Sequence, residues 1–210
     1  MINYDEKLKK IKIITLGNSS VGKTCFILKF TENRYENSHL ITVGIDLKMK
    51  IIELSNKKRY NIFFYDTAGQ EKFKSISANS IKSADGVILM YDITNQKSYD
   101  DISRWMNSII EHKGKDFPMV LLGNKCDLEN GRIISTEEGY DLAKKYNLKF
   151  FETSNKLGTN INDAGLELIN QIIDKNKEKF IYEENNNENE NNNIQLSKSN
   201  SKKKKHSCKC

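Results

Sequence analysis

The chain has 210 residues, 37% hydrophobic and 30% charged, enough for one globular domain with a real core plus a polar appendage. No apolar run nears the roughly 18 residues of a membrane span, and the start, MINYDEKLKK, lacks a signal peptide's apolar stretch, so a cytosolic protein is expected. The charge of +6 is modest, and the body of the chain has no basic stripe with interleaved aromatics, so no nucleic-acid partner is expected. Two cysteines (Cys25, Cys126) lie inside the domain and two (Cys208, Cys210) at the extreme end, which is no disulfide framework.

In chain order, IKIITLG reads as a strand and KTCFILKF as the helix after it. LKMKIIEL and YNIFFYDTAG look like a strand pair joined by the turn SNKK. GVILMYDI and MVLLGNK are continuous apolar runs, as expected of strands buried on both faces, and KFFETS is a shorter last strand. SYDDISRWMNSIIEHK, STEEGYDLAKKYN and INDAGLELINQIIDKNKEKF have helical spacing. The alternation predicts an α/β domain over residues 1–182, with a mostly parallel sheet and helices on both faces. Residues 183–210 hold no aromatics and almost no aliphatics, and are expected to be a disordered, asparagine-rich and then polybasic tail.

Ligands of such sheets sit at the carboxyl ends of the strands, and the motifs fall there. GNSSVGKT comprises Gly17, Asn18, Ser19, Ser20, Val21, Gly22, Lys23 and Thr24, between a strand and a helix, with Cys25 next. Its two glycines let backbone N–H groups converge on an anion, and the helix start adds its positive dipole end. Lys23 is expected to reach the β- and γ-phosphates, and the Thr24 hydroxyl to ligate Mg²⁺. DTAGQ comprises Asp66, Thr67, Ala68, Gly69 and Gln70. A carboxylate there can hold magnesium through its water shell, Gly69 can offer an N–H to a γ-phosphate, and Gln70 can orient an attacking water. In GNKCD, the Asp127 carboxylate can take two hydrogen bonds from guanine N1 and N2, a donor pair adenine lacks, while Asn124, Lys125 and Cys126 precede it. Without that context the segment is a polar capping turn. TSNK, with Ser154, Asn155 and Lys156, can close its backbone over the base edge. Thr42 can complete the magnesium shell when a γ-phosphate is present, and Tyr35 either covers the guanine face or simply packs at the surface.

In this order and spacing the motifs resemble a Ras-superfamily small GTPase over about residues 8–178. The wording of VGIDLKMKIIEL, DTAGQEKFKSI, LMYDITNQKSYDDISRW and LLGNKCDL is similar to the Rab branch, particularly Rabs of the secretory pathway. The resemblance implies a six-stranded P-loop GTPase domain binding GTP or GDP, with Mg²⁺ held by Thr24, Thr42 and Asp66 and guanine held by Asn124, Lys125 and Asp127 with the backbone of Ser154 to Lys156. Gln70 and Lys23 would serve catalysis, and His39, Leu40, Ile41, Thr42, Val43, Gly44, Ile45, Asp46 and Leu47 would form an effector loop. It implies a switch in vesicle traffic, partnered by an exchange factor, a GTPase-activating protein, a GDP-dissociation inhibitor, a prenylation escort protein and effectors. No arginine stands where it would act in cis, so hydrolysis without a partner is expected to be slow. The alternative is a guanine-nucleotide-binding adaptor that no longer switches.

The ending KKKKHSCKC is similar to the Rab tail, in which both cysteines carry geranylgeranyl groups. One lipid chain holds a protein marginally, whereas two anchor it. Lys202 to Lys205 would add roughly 1 kcal/mol each at an anionic cytoplasmic leaflet. The asparagine stretch would span roughly 30 Å as a flexible tether. Apart from the cysteines, the lysines also read as a nuclear signal. The chain departs from the usual Rab pattern at Leu47 (phenylalanine), Tyr65 (tryptophan), Asn79 and Ser80 (a tyrosine pair), leaving a smaller, more polar surface patch. Asn155 replaces an alanine beside the base, and a bulkier residue there is expected to speed GDP release.

Overall fold

The computed structural model describes residues 8–35, 45–54, 57–67 and 74–177, with residues 45, 46, 67 and 74–77 described by backbone alone. Two compact units divide the chain, Met1–Ile172 and Ile173–Cys210. In the second, the described residues are 173–177, which include the end of the last helix.

Six strands form one sheet: β1 (Lys9–Leu16), β2 (Ile45–Glu53), β3 (Arg59–Thr67), β4 (Gly86–Asp92), β5 (Met119–Asn124) and β6 (Lys149–Thr153). Their order is β2-β3-β1-β4-β5-β6, and only the β2–β3 pair is antiparallel. The β2–β3 turn is closed by Leu54 N–H to the Lys58 carbonyl at 3.0 Å. The chain leaves β1 towards one side of the sheet and later continues from β4 to the other, so the strand order reverses beside β1. Open α/β sheets carry their ligand crevice at such a reversal, and the first motif emerges there, between β1 and the helix after it.

The helices are α1 (Lys23–Glu32), α2 (Lys74–Ser83), α3 (Gln96–Asp100), α4 (Ile102–Lys113), α5 (Thr136–Lys145) and α6 (Ile161–Lys175). β4 and β5 are buried at every position, as their uninterrupted apolar runs require. Alternation then assigns the faces. Ile14, Leu16, Val87, Leu89, Tyr91, Met119 and Leu121 join Ile81 of α2, Ile102, Met106 and Ile109 of α4 and Ala143 of α5 in one core. On the other face, a Cβ on Gly86 would lie 2.6 Å from Ile172, and one on Gly165 2.3 Å from Phe30, so α6 and α1 press close because glycines stand between them. Phe30 in turn meets Phe64 edge-on at 5.3 Å.

Three local expectations need correction. The segment read as one helix over residues 98–113 is two, α3 capped by Asn95 and α4 starting after Asp101, with Arg104 and Trp105 N–H groups both on the Asp101 carbonyl. α2 was unanticipated, because KSISANSIKS is rich in residues that prefer turns to helices. Ser80 is 8% exposed, with Ile81 and Ala84 beside it in the interior, so it is no part of a surface patch; Asn79 is exposed.

On the edge strand β2 the usual alternation is inverted. Leu47, Met49 and Ile51 are exposed, whereas Lys48 pairs with Glu32 at 3.3 Å and Lys50 donates to the Phe30 carbonyl at 2.5 Å. Leu47 stands opposite Tyr65 in the register.

Candidate nucleotide site

The phosphate-loop motif begins where β1 ends. Gly17 (φ 144°) and Gly22 (φ 103°) take left-handed backbone that a side chain would strain, and Ser20 (φ 62°) joins them; Ser19 and Ser20 face solvent. Asn18 is fastened sideways, its Nδ2 donating to Asp101 Oδ2 at 2.6 Å and its Oδ1 accepting from Trp105 Nε1 at 3.2 Å. Val21 is buried beneath the loop.

Lys23 opens α1 and curls back, its Nζ donating to the Gly17 carbonyl at 3.0 Å and the Asn18 carbonyl at 2.7 Å. Burial lowers its pKa to about 8, against the opposing pull of the Asp66 charge. Phosphate oxygens would restore the ammonium. Binding of GDP should therefore take up a proton near pH 8, and affinity should fall about tenfold from pH 7 to pH 9 as the empty site loses that proton. A titration of Kd against pH checks this, with Lys23→Met expected to show weak binding and a flat profile. For folding the sign is opposite. The unfolded chain holds the proton up to about pH 10.5, so between pH 8 and 10.5 this group makes the empty fold more stable as pH rises.

Thr24 Oγ1 donates to Asp66 Oδ2 at 2.5 Å, joining the start of α1 to the carboxyl end of β3. Asp66 is 2% exposed. Cys25 is half-buried. Tyr35 follows α1 and is exposed; partial burial first, then the charges of Cys25 and Asp127, raises its hydroxyl's pKa.

Across the crevice, β5 and β6 bring two loops together. Asn124 is 1% exposed, donates from Nδ2 to the Val21 carbonyl at 2.7 Å and accepts from Thr153 Oγ1 at 3.1 Å. Both ends of its amide are engaged within the protein, so it acts as a strut. Lys125 (φ 69°) pairs with Asp92 Oδ2 at 2.6 Å, and Asp92 Oδ1 accepts from the Thr94 N–H and hydroxyl. Asp127 Oδ1 accepts from Ser154 Oγ at 2.6 Å, whose oxygen also takes the Leu157 N–H. The Cys126 N–H reaches the Thr153 carbonyl at 3.1 Å, and burial raises the Cys126 thiol's pKa. Asn155 Nδ2 donates to the Gly22 carbonyl at 2.9 Å, and Lys156 is exposed.

Sequence reasoning missed several supports. Asp92, at the carboxyl end of β4, orients Lys125; a carboxylate closing an apolar strand was the available signal. Asp101 and Trp105 hold Asn18. Arg132 forms a fork with Glu152 at 2.6 and 3.0 Å and also meets Glu129, bracing β6 behind Cys126. Thr42, Ala68, Gly69, Gln70, Cys208, Cys210 and residues 39–44 of the effector loop lie outside the described residues, and Thr67, Ile45 and Asp46 are placed by backbone only.

A phosphate-loop glycine turn, a buried lysine and a carboxylate–threonine pair thus face a carboxylate–hydroxyl pair across the reversal point of a mostly parallel sheet. Fold and site together define a nucleotide-binding P-loop protein of α/β type. The Ras family model matches residues 12–174. The chain is 41% identical over 174 residues to the Ras-related protein Rab-10 of Diplobatis ommata, covering 83% of this chain and 86% of that one. It is 42% identical over 168 residues to Rab-8B of Homo sapiens (80% and 81%) and 41% over 162 residues to Rab-13 of Canis lupus familiaris (77% and 79%). The chain belongs to the Ras family, as a small GTPase of the Rab type that binds guanine nucleotides and hydrolyses GTP.

Proposed function

We propose that the protein is a membrane-anchored GTP/GDP switch in vesicle traffic. The carrying observation is the convergence of Lys23, Thr24 and Asp66 with the Asp127–Ser154 pair on one crevice. The reaction is GTP + H₂O → GDP + phosphate. Lys23 would exchange its two carbonyl acceptors for phosphate oxygens, and the start of α1 would add its dipole there. The donor set suits a hard cation: Thr24 and Asp66 present oxygen atoms side by side, so Mg²⁺ fits, with Asp66 acting through water and Thr42 joining them. When bound, Mg²⁺ neutralises charge on the phosphates. Gly69 would sense the γ-phosphate and Gln70 would orient the attacking water. Asp127 would read the guanine, with Lys125 along its face.

As a switch the protein works with an exchange factor, a GTPase-activating protein, a GDP-dissociation inhibitor, an escort protein for prenylation, and effectors. Effectors would read residues 39–47, and the exposed Leu47, Met49 and Ile51 extend that surface along β2. No helix among the described residues is long and apolar enough to cross a membrane, and attachment falls to the tail of residues 183–210. Lipids on Cys208 and Cys210, with Lys202 to Lys205, would hold it to the cytoplasmic leaflet, leaving a cytosolic pool bound to its partners.

The test is the intact mass of the protein from the membrane fraction of its own cells. Two geranylgeranyl groups localised to Cys208 and Cys210 are expected. An unmodified C-terminus, with all of the protein in the cytosol, would overturn the anchored switch and leave the GTPase.

A further inference from the structure

The phosphate loop receives two amides from the opposite side of the crevice. Asn124 Nδ2 donates to the Val21 carbonyl at 2.7 Å, and Asn155 Nδ2 donates to the next carbonyl, that of Gly22, at 2.9 Å. The Gly22 carbonyl also accepts the Phe26 N–H at 2.9 Å, so Asn155 grips the peptide on which the first turn of α1 is built. Gly22 makes room for both. A Cβ there would lie 2.3 Å from Asn124 Nδ2 and 2.6 Å from Asn155 Nδ2. Asn124 belongs to the GNKCD segment after β5, whereas Asn155 lies in the loop after β6, so the two ties reach the phosphate loop from different segments.

The sequence reading expected a bulky side chain at this position to loosen the nucleotide. The side chain is instead 5% exposed and directed at the phosphate loop. Its Oδ1 has no hydrogen-bond partner among the described residues, so its polar anchoring rests on the Nδ2 donor. We propose that Asn155 is a positioning residue that ties the guanine-binding loop after β6 to the phosphate loop and slows release of the nucleotide. The proposal rests on the nucleotide-site reading above. A nucleotide leaves when the loops that grip its base and its phosphates part. With the tie in place, moving the loop after β6 breaks a half-buried hydrogen bond between residues 133 positions apart. One such bond is worth about fivefold in rate if it is broken on the way out.

The test uses the full chain loaded with a fluorescent GDP and chased with unlabelled GDP. Asn155→Ala removes the amide, and Asn155→Leu keeps its bulk without the donor. Both are expected to release GDP about fivefold faster than the native chain, whereas Asn155→Gln, which keeps an amide donor, is expected to release it more slowly than either. A side chain that only fills space would leave Asn155→Leu at the native release rate, and that result overturns the proposal. So does native or slower release from Asn155→Ala, or release from Asn155→Gln as fast as from Asn155→Leu. Failure of the native chain to retain GDP at all would overturn the site reading itself.

Discussion

Asp127→Ala is expected to weaken GDP binding about a thousandfold and to remove most of the preference for GDP over ADP. The expectation follows from the guanine-reading role proposed for the carboxylate. Two hydrogen bonds to a charged acceptor contribute about 1.5–3 kcal/mol each, and a thousandfold is about 4 kcal/mol, inside their sum. The structure shows why alanine leaves no substitute. Ser154 Oγ holds Asp127 Oδ1 at 2.6 Å, so the carboxylate is oriented before any ligand arrives. Adenine offers this group no donor pair, so ADP loses little when the group goes, and the ratio of affinities collapses from the guanine side. Ser154→Ala, which frees the carboxylate without removing it, should cost far less. Competition binding with GDP and ADP decides the matter, and an unchanged ratio in Asp127→Ala would remove Asp127 from base recognition.

Gly17→Ala is expected to lower the melting temperature of the nucleotide-free protein by about 10 °C and to abolish stable nucleotide retention. The added Cβ would lie 2.2 Å from the Met90 carbonyl oxygen and 3.2 Å from its carbon, at a φ of +144°. Met90 sits in the middle of the fully buried β4, which pairs with β1 on one side and β5 on the other. Its carbonyl has nowhere to retreat. Backbone strain of about 1–3 kcal/mol and overpacking of similar size give about 3–4 kcal/mol together, and each kcal/mol moves a domain of this length by about 2–4 °C. The first glycine of the motif is thus a packing residue of the sheet as well as a turn in the phosphate cradle. Thermal melting with and without GDP measures both effects, and a native melting curve would refute the steric argument.

What the sequence made legible was local. The apolar runs of β4 and β5 betray burial on both faces, and a glycine-lysine-threonine cluster after a strand betrays an anion site, because those patterns need only neighbouring residues. α2 stayed hidden because its serines and asparagine are poor helix formers; packing of Ile81 in the core, along with α4 and β1, supplies what propensity does not. The α3–α4 joint was equally hidden, since Asp101 and Ile102 fit one continuous periodicity. In the site, the residue types were readable but their partners were not. Lys125 was assigned to the base, and its pairing with Asp92 across two strand ends appears only in the folded chain. Asn124 was assigned to guanine, and its ties to the Val21 carbonyl and the Thr153 hydroxyl appear only in the folded chain. Such ties join residues tens of positions apart, where no spacing rule operates.

The fastening of Asn18 has a consequence for how this chain can vary. The amide gives a hydrogen to the Asp101 carboxylate and takes one from the Trp105 indole, so the donor at position 18 and the acceptor at position 101 form a matched pair. Asn18→Asp alone would set two carboxylates face to face at 2.6 Å, whereas the same change accompanied by Asp101→Asn would restore the polarity with its direction reversed. Positions separated by 83 residues are thereby coupled, and the order of change matters: Asp101→Asn keeps an oxygen that can accept from Asn18, whereas Asn18→Asp made first does not keep the donor.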